Sequence, residues 1–155
     1  LIVAEKTITD TIAEELTEIY FKNEWWHIKK LSKSEALKYH KALLDKGNIL
    51  VYREDNELLG YVEFWNINFE QFGKLICKEP FSPLIQNVTD GNIAYLANTW
   101  INPKYRHTKV YRILKMNFFT VNYHCEYFVG EALRKKTQPV KVFKRDQLIK
   151  GVNNG

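Results

Sequence analysis

Nowhere in this chain do apolar residues run on for the ~20 positions that a membrane-spanning helix needs. The opening Leu1-Ile2-Val3-Ala4 is far shorter than the apolar region of a signal peptide, and no cleavage-site pattern follows it. The two cysteines, Cys77 and Cys125, have neither paired nor metal-ligand spacing. That argues against a disulfide framework and predicts two buried thiols in a cytosolic protein. The four histidines are His27, His40, His107 and His124. None stands at helical or short-loop spacing from another histidine or from paired cysteines, so no metal site is expected. No serine occupies a nucleophile-elbow pattern. Internal repeats, low-complexity tracts and Gly/Ser linkers are absent too, which leaves one domain with an appended start: residues 1–24 as an N-terminal extension and 25–155 as the domain proper. The chain begins at Leu1 rather than Met, which leaves a fragment, a processed product and an unusual start codon all open.

What is present is core-forming material. Of 155 residues, 45% are hydrophobic and 14% aromatic, a supply that argues against disorder. A chain of this length buries roughly two-thirds of the surface its unfolded form exposes and needs no covalent staple. The formal net charge of +5 is unevenly spread. Residues 1–24 hold Glu5, Asp10, Glu14, Glu15, Glu18 and Glu24 against Lys6 and Lys22, a balance of −4. The remainder therefore carries +9, concentrated in Lys104 to Lys115 and Arg134 to Arg145. A solvated basic surface is the plain reading; a polyanionic ligand, nucleotide phosphate or nucleic acid, is the pointed one.

Apolar spacing orders the elements. Ile8, Ile12, Leu16 and Ile19 recur at helical intervals behind the capping-box pattern Thr11-Ile12-Ala13-Glu14, predicting an acidic amphipathic helix over 9–22. Trp25 to Leu31 reads as a short strand. Ser32 to Glu35 opens a second helix, with Ala36, Leu37, Leu43 and Leu44 facing inward and Gly47 closing it. Strands at Asn48–Arg53 and Leu58–Ile67 flank the polar turn Glu54-Asp55-Asn56-Glu57, an antiparallel hairpin. Residues 68–91 hold a loop with one short helix, since Pro80, Pro83 and Asp90-Gly91 bar longer regular structure. A strand over Asn92–Ile101 ends at Pro103, a helix spans Thr108–Tyr123, and a strand spans Glu126–Leu133. Gln138 to Ile149, with Pro139 in its first turn, reads as a last short helix. A hairpin followed by a β-α-β crossover makes an α/β (α+β) domain with a mixed, mostly antiparallel sheet flanked by helices.

Several stretches resemble the GNAT family of acyl-CoA N-acyltransferases. Ile28 to Ala36 resembles the family's opening strand and helix, and Leu59-Gly60-Tyr61-Val62 is similar to its hairpin strand. Ile101-Asn102-Pro103-Lys104-Tyr105-Arg106 resembles the end of its fourth strand and the approach to its pyrophosphate loop. The resemblance covers roughly residues 25–149 and finds no counterpart for the family's final strand. It implies acetyl-CoA as cofactor, an amine as acceptor, and a fourth strand splayed from the fifth, whose backbone at Trp100 and Ile101 bonds the pantetheine arm. It also implies phosphate binding at the start of the following helix. The family's turn there reads basic-x-x-Gly-x-Gly/Ala. Here Arg106-His107-Thr108-Lys109-Val110-Tyr111 keeps the basic residue but places Lys109 and Tyr111 at the small positions, a degenerate form in which Arg106 and Lys109 are the expected phosphate ligands. Leu96 to Trp100 lacks the carboxylate that members often carry, which leaves Glu63 on the neighbouring strand as candidate base. Phe143 falls nearest to the family's proton-donating tyrosine.

A rival of another class is a GNAT-fold module without catalysis that serves as an interaction or assembly component, for example in a phage particle. The acidic N-terminal helix would then be its docking element for a protein partner. Trp25, Trp26, Trp65 and Trp100 could stack on bases, but all sit on expected strands, so nucleic-acid binding is the weaker alternative. The enzyme reading places the protein in the cytoplasm, and the rival places it in a virion. The pair His124-Cys125 reads as a helix end running into a buried strand rather than as a nucleophile.

Overall fold

A computed structural model describes residues 2–22, 31–76, 88–130 and 141–147. Two compact units divide the chain: one centred on the helices before Asn48, the other holding the described chain from Ile49 onward.

The first unit is a helix pair. Helix α1 spans Ile2–Lys22 and α2 spans Lys33–Lys46. Expected to begin at residue 9, α1 begins at Ile2 and already runs through Thr11, so the Thr11–Glu14 pattern lies mid-helix. The start of α2 follows expectation: Glu35 N donates to Ser32 Oγ at 3.3 Å, and Ser32 N donates to Glu35 Oε2 at 2.8 Å. The Ser32 backbone N–H, and after it the Ser32 side chain, hold the Glu35 carboxyl below its ordinary range. Gly47 closes α2 with φ 73°, the left-handed conformation that a Cβ would oppose. Ala13, Leu16 and Thr17 are buried on α1, and Ala36, Tyr39, His40 and Leu43 on α2. His40 was not anticipated inside. Lys33 to Glu18 at 2.8 Å and Lys41 to Asp10 at 3.0 Å join the helices at their rims.

The second unit is a five-stranded sheet in the order β1-β2-β3-β4-β5. Strands β1 (Ile49–Glu54) and β2 (Glu57–Ile67) form the expected hairpin. Its two turn residues, Asp55 and Asn56, both have positive φ (48° and 64°), which matches the right-handed twist of the strands beside them. Helix α3 (Phe69–Ile76) follows, then β3 (Ile93–Ile101), antiparallel to β2. Helix α4 (Val110–Val121) leads to β4 (Tyr127–Gly130), parallel to β3 with Ile93 opposite Tyr127 and Leu96 opposite Gly130. The sheet is thus mixed and mostly antiparallel, as the element order predicts.

The C-terminal segment differs from expectation. Within the helix expected over 138–149, Lys141–Lys144 instead form β5, antiparallel to β4, and residues 145–147 make a helical turn. Backbone groups along the far side of β4 would otherwise lack partners, and Val142-Phe143 suits a strand better than a helix. Residues 23–30, 131–140 and 148–149, which carry the expected strand at Trp25 and the end of the strand after Glu126, lie outside the described residues.

One core fills the face of the sheet under α4. Leu59, Val62 and Phe64 of β2, Ala94 of β3 and Phe128 of β4 pack with Val110, Leu114 and Phe118 of α4, and Cys125 closes the group. Phe118 meets Phe64 and Phe128 edge-on, with ring centres 5.7 and 5.9 Å apart. Truncating such a ring costs about 3–5 kcal/mol. The Cys125 thiol is free, and burial pushes its pKa up, so it behaves as a core residue; Cys77 lies outside the described residues. Below α4, Asn122 donates to Phe118 O at 2.9 Å and accepts from Asn66 Nδ2 at 2.8 Å, tying the helix end to β2.

Candidate functional site

Two register shifts shape the region where β3 runs into α4. Between β1 and β2, Tyr52 pairs with Gly60 but Arg53 pairs with Leu58, so Leu59 is an extra residue. Between β2 and β3, Glu63 pairs with Asn98 but Phe64 pairs with Leu96, so Ala97 is extra. Each bulge bends its strand and resets which residues face which side. Gly60 lies at this crowded point: a Cβ there would come within 2.8 Å of Trp100 O and 3.0 Å of Leu114 Cδ1. No larger residue fits without moving backbone.

Past the second bulge, β3 divides its side chains between the faces. Val62 lies opposite Thr99 and Gly60 opposite Ile101, on the side packed under α4. Glu63 lies opposite Asn98 and Tyr61 opposite Trp100, on the other side. There the Tyr61 ring stacks on Trp100 with centres 6.0 Å apart, and Asn98 Nδ2 donates to Tyr61 Oη at 3.4 Å. Glu63 is only 5% exposed. Burial first, and the nearby charge of Glu63 second, push the Tyr61 pKa well above its ordinary value, while the Asn98 bond works the other way. The phenol therefore keeps its proton. Glu63 was named from the sequence; Tyr61 and Asn98 were missed as its neighbours. The signal was available only as period-two spacing, which the Ala97 bulge interrupts.

On the α4 side, the Thr99 hydroxyl is the single buried side-chain oxygen or nitrogen with no hydrogen-bond partner among the described residues. Bonds of this kind are seldom forgone inside proteins.

The turn joining β3 to α4 is held by its own polar groups. Asn102 N donates to Leu59 O at 2.9 Å, and its side-chain amide donates to Leu58 O at 3.1 Å. Pro103–Tyr105 make one 3-10 turn. Tyr105 Oη donates to Glu57 Oε2 at 2.6 Å, and Lys104 Nζ reaches Glu57 Oε1 at 3.3 Å, fixing the turn to the tip of the β1–β2 hairpin. Those donors hold the Glu57 carboxyl below its ordinary range. Lys104 is therefore engaged, whereas Arg106 and Lys109 are exposed and make no ion pair among the described residues. His107 adopts φ 68° to bend the chain back. Thr108 accepts from Val110 N at 3.3 Å, and Lys109, at the cap position of α4, makes no side-chain cap. Between Asp90 and Glu126 the chain has no acidic residue, while Lys104, Arg106, Lys109, Arg112 and Lys115 all fall there. The start of α4 is thus a positive helix end, with only Thr108 serving its first amide.

The structure brings some expected site residues together and separates others. Trp100 and Ile101 end β3 and lead into the turn that carries Arg106 and Lys109. Glu63 and Ile101 are on opposite faces of the sheet. Tyr111 is 47% exposed on the outer side of α4, with Lys115 Nζ 6.0 Å from its ring centre. Phe143, expected near the last helix, stands on β5 opposite Phe128. Trp65 is buried against Tyr95, so stacking on a base is closed to it; Trp25 and Trp26 lie outside the described residues. No helix among the described residues is long and apolar enough to cross a membrane.

Compared with known proteins, no family model and no curated sequence matches this chain. Solved structures do match its fold. The loading GNATL domain of CurA from Lyngbya majuscula superposes with a TM-score of 0.51 at 12% identity, over 86% of this chain and 66% of that one. The GphF GNAT-like decarboxylase, solved with isobutyryl-CoA, gives 0.48 at 15% identity over 65% of this chain. A predicted acetyltransferase from Clostridium acetobutylicum, solved with acetyl-CoA, gives 0.47 at 13%, over 79% and 73% of the two chains. The matched region spans 51% of the decarboxylase chain, about half its length. The fold of this protein is GNAT-like.

Proposed function

We propose that this chain is an acyl-CoA-dependent N-acyltransferase that moves an acetyl group from acetyl-CoA to an amine. The observation that carries the reading is the junction of β3 and α4. A bulged strand leads directly into a basic turn whose Arg106 and Lys109 are exposed and make no ion pair among the described residues. Arg106 and Lys109 hold the phosphates, with Lys109 supplying a point charge where the family uses close backbone approach. The backbone of Trp100 and Ile101 holds the pantetheine arm. When bound, the cofactor supplies the acetyl group as an activated thioester. Glu63 receives the proton that the amine gives up, and Asn98 and Tyr61 keep the surroundings of that carboxylate polar. The rest of the rate comes from holding amine and acyl carbon in line.

Thermal melts and calorimetry with acetyl-CoA test this. At a hundredfold excess over Kd, binding adds about 2.7 kcal/mol of stability, which for a domain of this size is a rise in Tm of about 5–10 °C. Arg106→Ala should remove most of that rise. A wild-type chain that neither melts later nor gives any heat of binding with millimolar acetyl-CoA would overturn the proposal.

Lys109 and Tyr111, with full side chains at positions where the family keeps small ones, favour a second reading: an assembly component without catalysis, found in a virion rather than the cytoplasm. On that reading α1 docks a protein partner. Asp10 and Glu18 already serve α2, so docking would fall to the remaining acids of the helix, such as exposed Glu14. The same melts separate the two.

A further inference from the structure

We propose that a recess at the end of the sheet remote from the basic turn binds a zwitterion of amino-acid size, a molecule carrying one ammonium and one carboxylate. The site is independent of the acyltransferase reading.

Topology builds the recess. Strands β3 and β4 run parallel and begin side by side, with Ile93 opposite Tyr127, and β5 ends beside them with Lys144 opposite Tyr127. Three strand ends therefore meet at one edge. Backbone bonds fix them: Glu126 N donates to Asn92 O at 3.1 Å, and Arg145 N donates to Glu126 O at 2.9 Å. The recess has a volume of about 270 Å³ and is lined by Asn92, His124, Glu126, Lys144, Arg145 and Asp146. A cavity of about 150 Å³ already holds benzene, so an amino acid has room. Arg106 and Lys109 lie past the other end of β3, a strand of nine residues, roughly 30 Å of chain.

The charges lining the recess are not spent on one another. Glu126 and Asp146 stand there with Lys144 and Arg145, two of each sign, yet none makes an ion pair among the described residues. The Asp146 carboxylate has no hydrogen bond there either. Arg145 is held instead by Tyr123: its Nη1 donates to the Tyr123 carbonyl at 3.2 Å, and its guanidinium lies 5.5 Å from the ring centre. Its remaining N–H groups are left over. Lys144 Nζ lies 6.0 Å from the Tyr127 ring centre. A polyanion placed here would meet Glu126 and Asp146, and a polycation would meet Lys144 and Arg145. An apolar molecule would strip water from all four. No group of three or more His, Cys, Asp or Glu side chains among the described residues could hold a metal ion. An ammonium set against Glu126 and Asp146, with a carboxylate set against Lys144 and Arg145, answers every charge.

Thermal melts of the full chain with each of the common amino acids at millimolar concentration test the site. At least one should raise Tm by about 3–5 °C at tenfold excess over its Kd. Its N-acetyl derivative and its amide, each lacking one of the two charges, should give no rise. By titration calorimetry, Asp146→Asn and Arg145→Gln should each bind that amino acid about tenfold more weakly. Asp146 has no partner to lose within the chain, so the free Asp146→Asn protein should melt like the wild type and its loss of affinity is a loss of ligand contact. No rise with any amino acid, or an affinity that both variants leave unchanged, would overturn the site. Equal rises with the N-acetyl derivative and the amide would overturn a zwitterion as its ligand.

Discussion

The helix pair and the sheet treat buried polar groups in opposite ways. In the helix pair, Thr17 Oγ1 donates to Ala13 O at 2.7 Å and lies 2.9 Å from His40 Nδ1. Its one proton is spent on the carbonyl, so His40 must donate from Nδ1, which assigns the neutral tautomer with Nδ1 protonated. Every hydrogen in that contact has a use within the unit. In the sheet, Tyr61, Glu63 and Asn98 gather a phenol, a carboxylate and an amide on one face, and Thr99 on the other leaves its hydroxyl unspent. A closed network reads as structure. The polar groups of the sheet, close to the basic turn before α4, are what the proposed acyltransferase would use.

The largest expected effect tests the sheet side. Glu63→Gln keeps the shape of the side chain but exchanges an acceptor oxygen for an NH2 donor and removes the proposed base, so acetyl transfer to a primary amine should fall about 100-fold or more. Acetyl-CoA affinity should stay within about twofold, since no phosphate contact is touched. Unchanged turnover in a variant that still binds would move the network to the structural class.

The helix side should instead respond to pH through stability. Burial lowers the His40 pKa from 6.5 to about 4. The sign follows from linkage: the folded protein resists a proton that the unfolded chain accepts near pH 6.5. The contribution of neutral His40 is therefore whole above about pH 6.5 and is lost as pH falls from there to about 4. The full loss is about 3 kcal/mol, from the size of the shift. Urea unfolding at pH 7.5, 6, 5 and 4 should show that slope in the wild type and a shallower one in His40→Phe. Parallel curves for the two proteins would mean that His40 is not held neutral.

A smaller effect separates the two helix starts. Ser32→Ala breaks the capping box of α2 and should cost about 1 kcal/mol in denaturant unfolding, leaving acetyl-CoA affinity unchanged. Any loss of affinity in that variant would mean that the start of α2 bears on ligand binding as well.

How far the sequence was legible depended on how local the cause was. Ser32, Glu35 and Gly47 announced both ends of α2 because caps act within one turn. The hairpin at Asp55-Asn56 was legible for the same reason. Gln138 to Ile149 was misread because the decisive fact, an edge of β4 in need of a partner, lies outside the segment. The α1 boundary was misplaced because a capping pattern such as Thr11–Glu14 has the same spelling inside a helix as at its start. In the site, Arg106, Lys109 and Glu63 could be named from motif position, whereas Tyr61 and Asn98 could not.

By itself, then, the sequence determined the order of elements from α2 to β4, the mixed sheet and the basic helix start, since periodicity, turn chemistry and charge are properties of neighbouring residues. Only the tertiary structure decided which strand residues share a face. A bulge at Ala97 changes that assignment for every residue beyond it, and the bulge depends on the register between β2 and β3, strands some thirty-five residues apart. That register puts Asn98 beside Glu63 and turns Thr99 to the side packed under α4. Burial decided the rest: the same histidine, tyrosine and threonine side chains are ordinary in water, and become a shifted base, a locked phenol and an unspent hydroxyl once the chain closes over them.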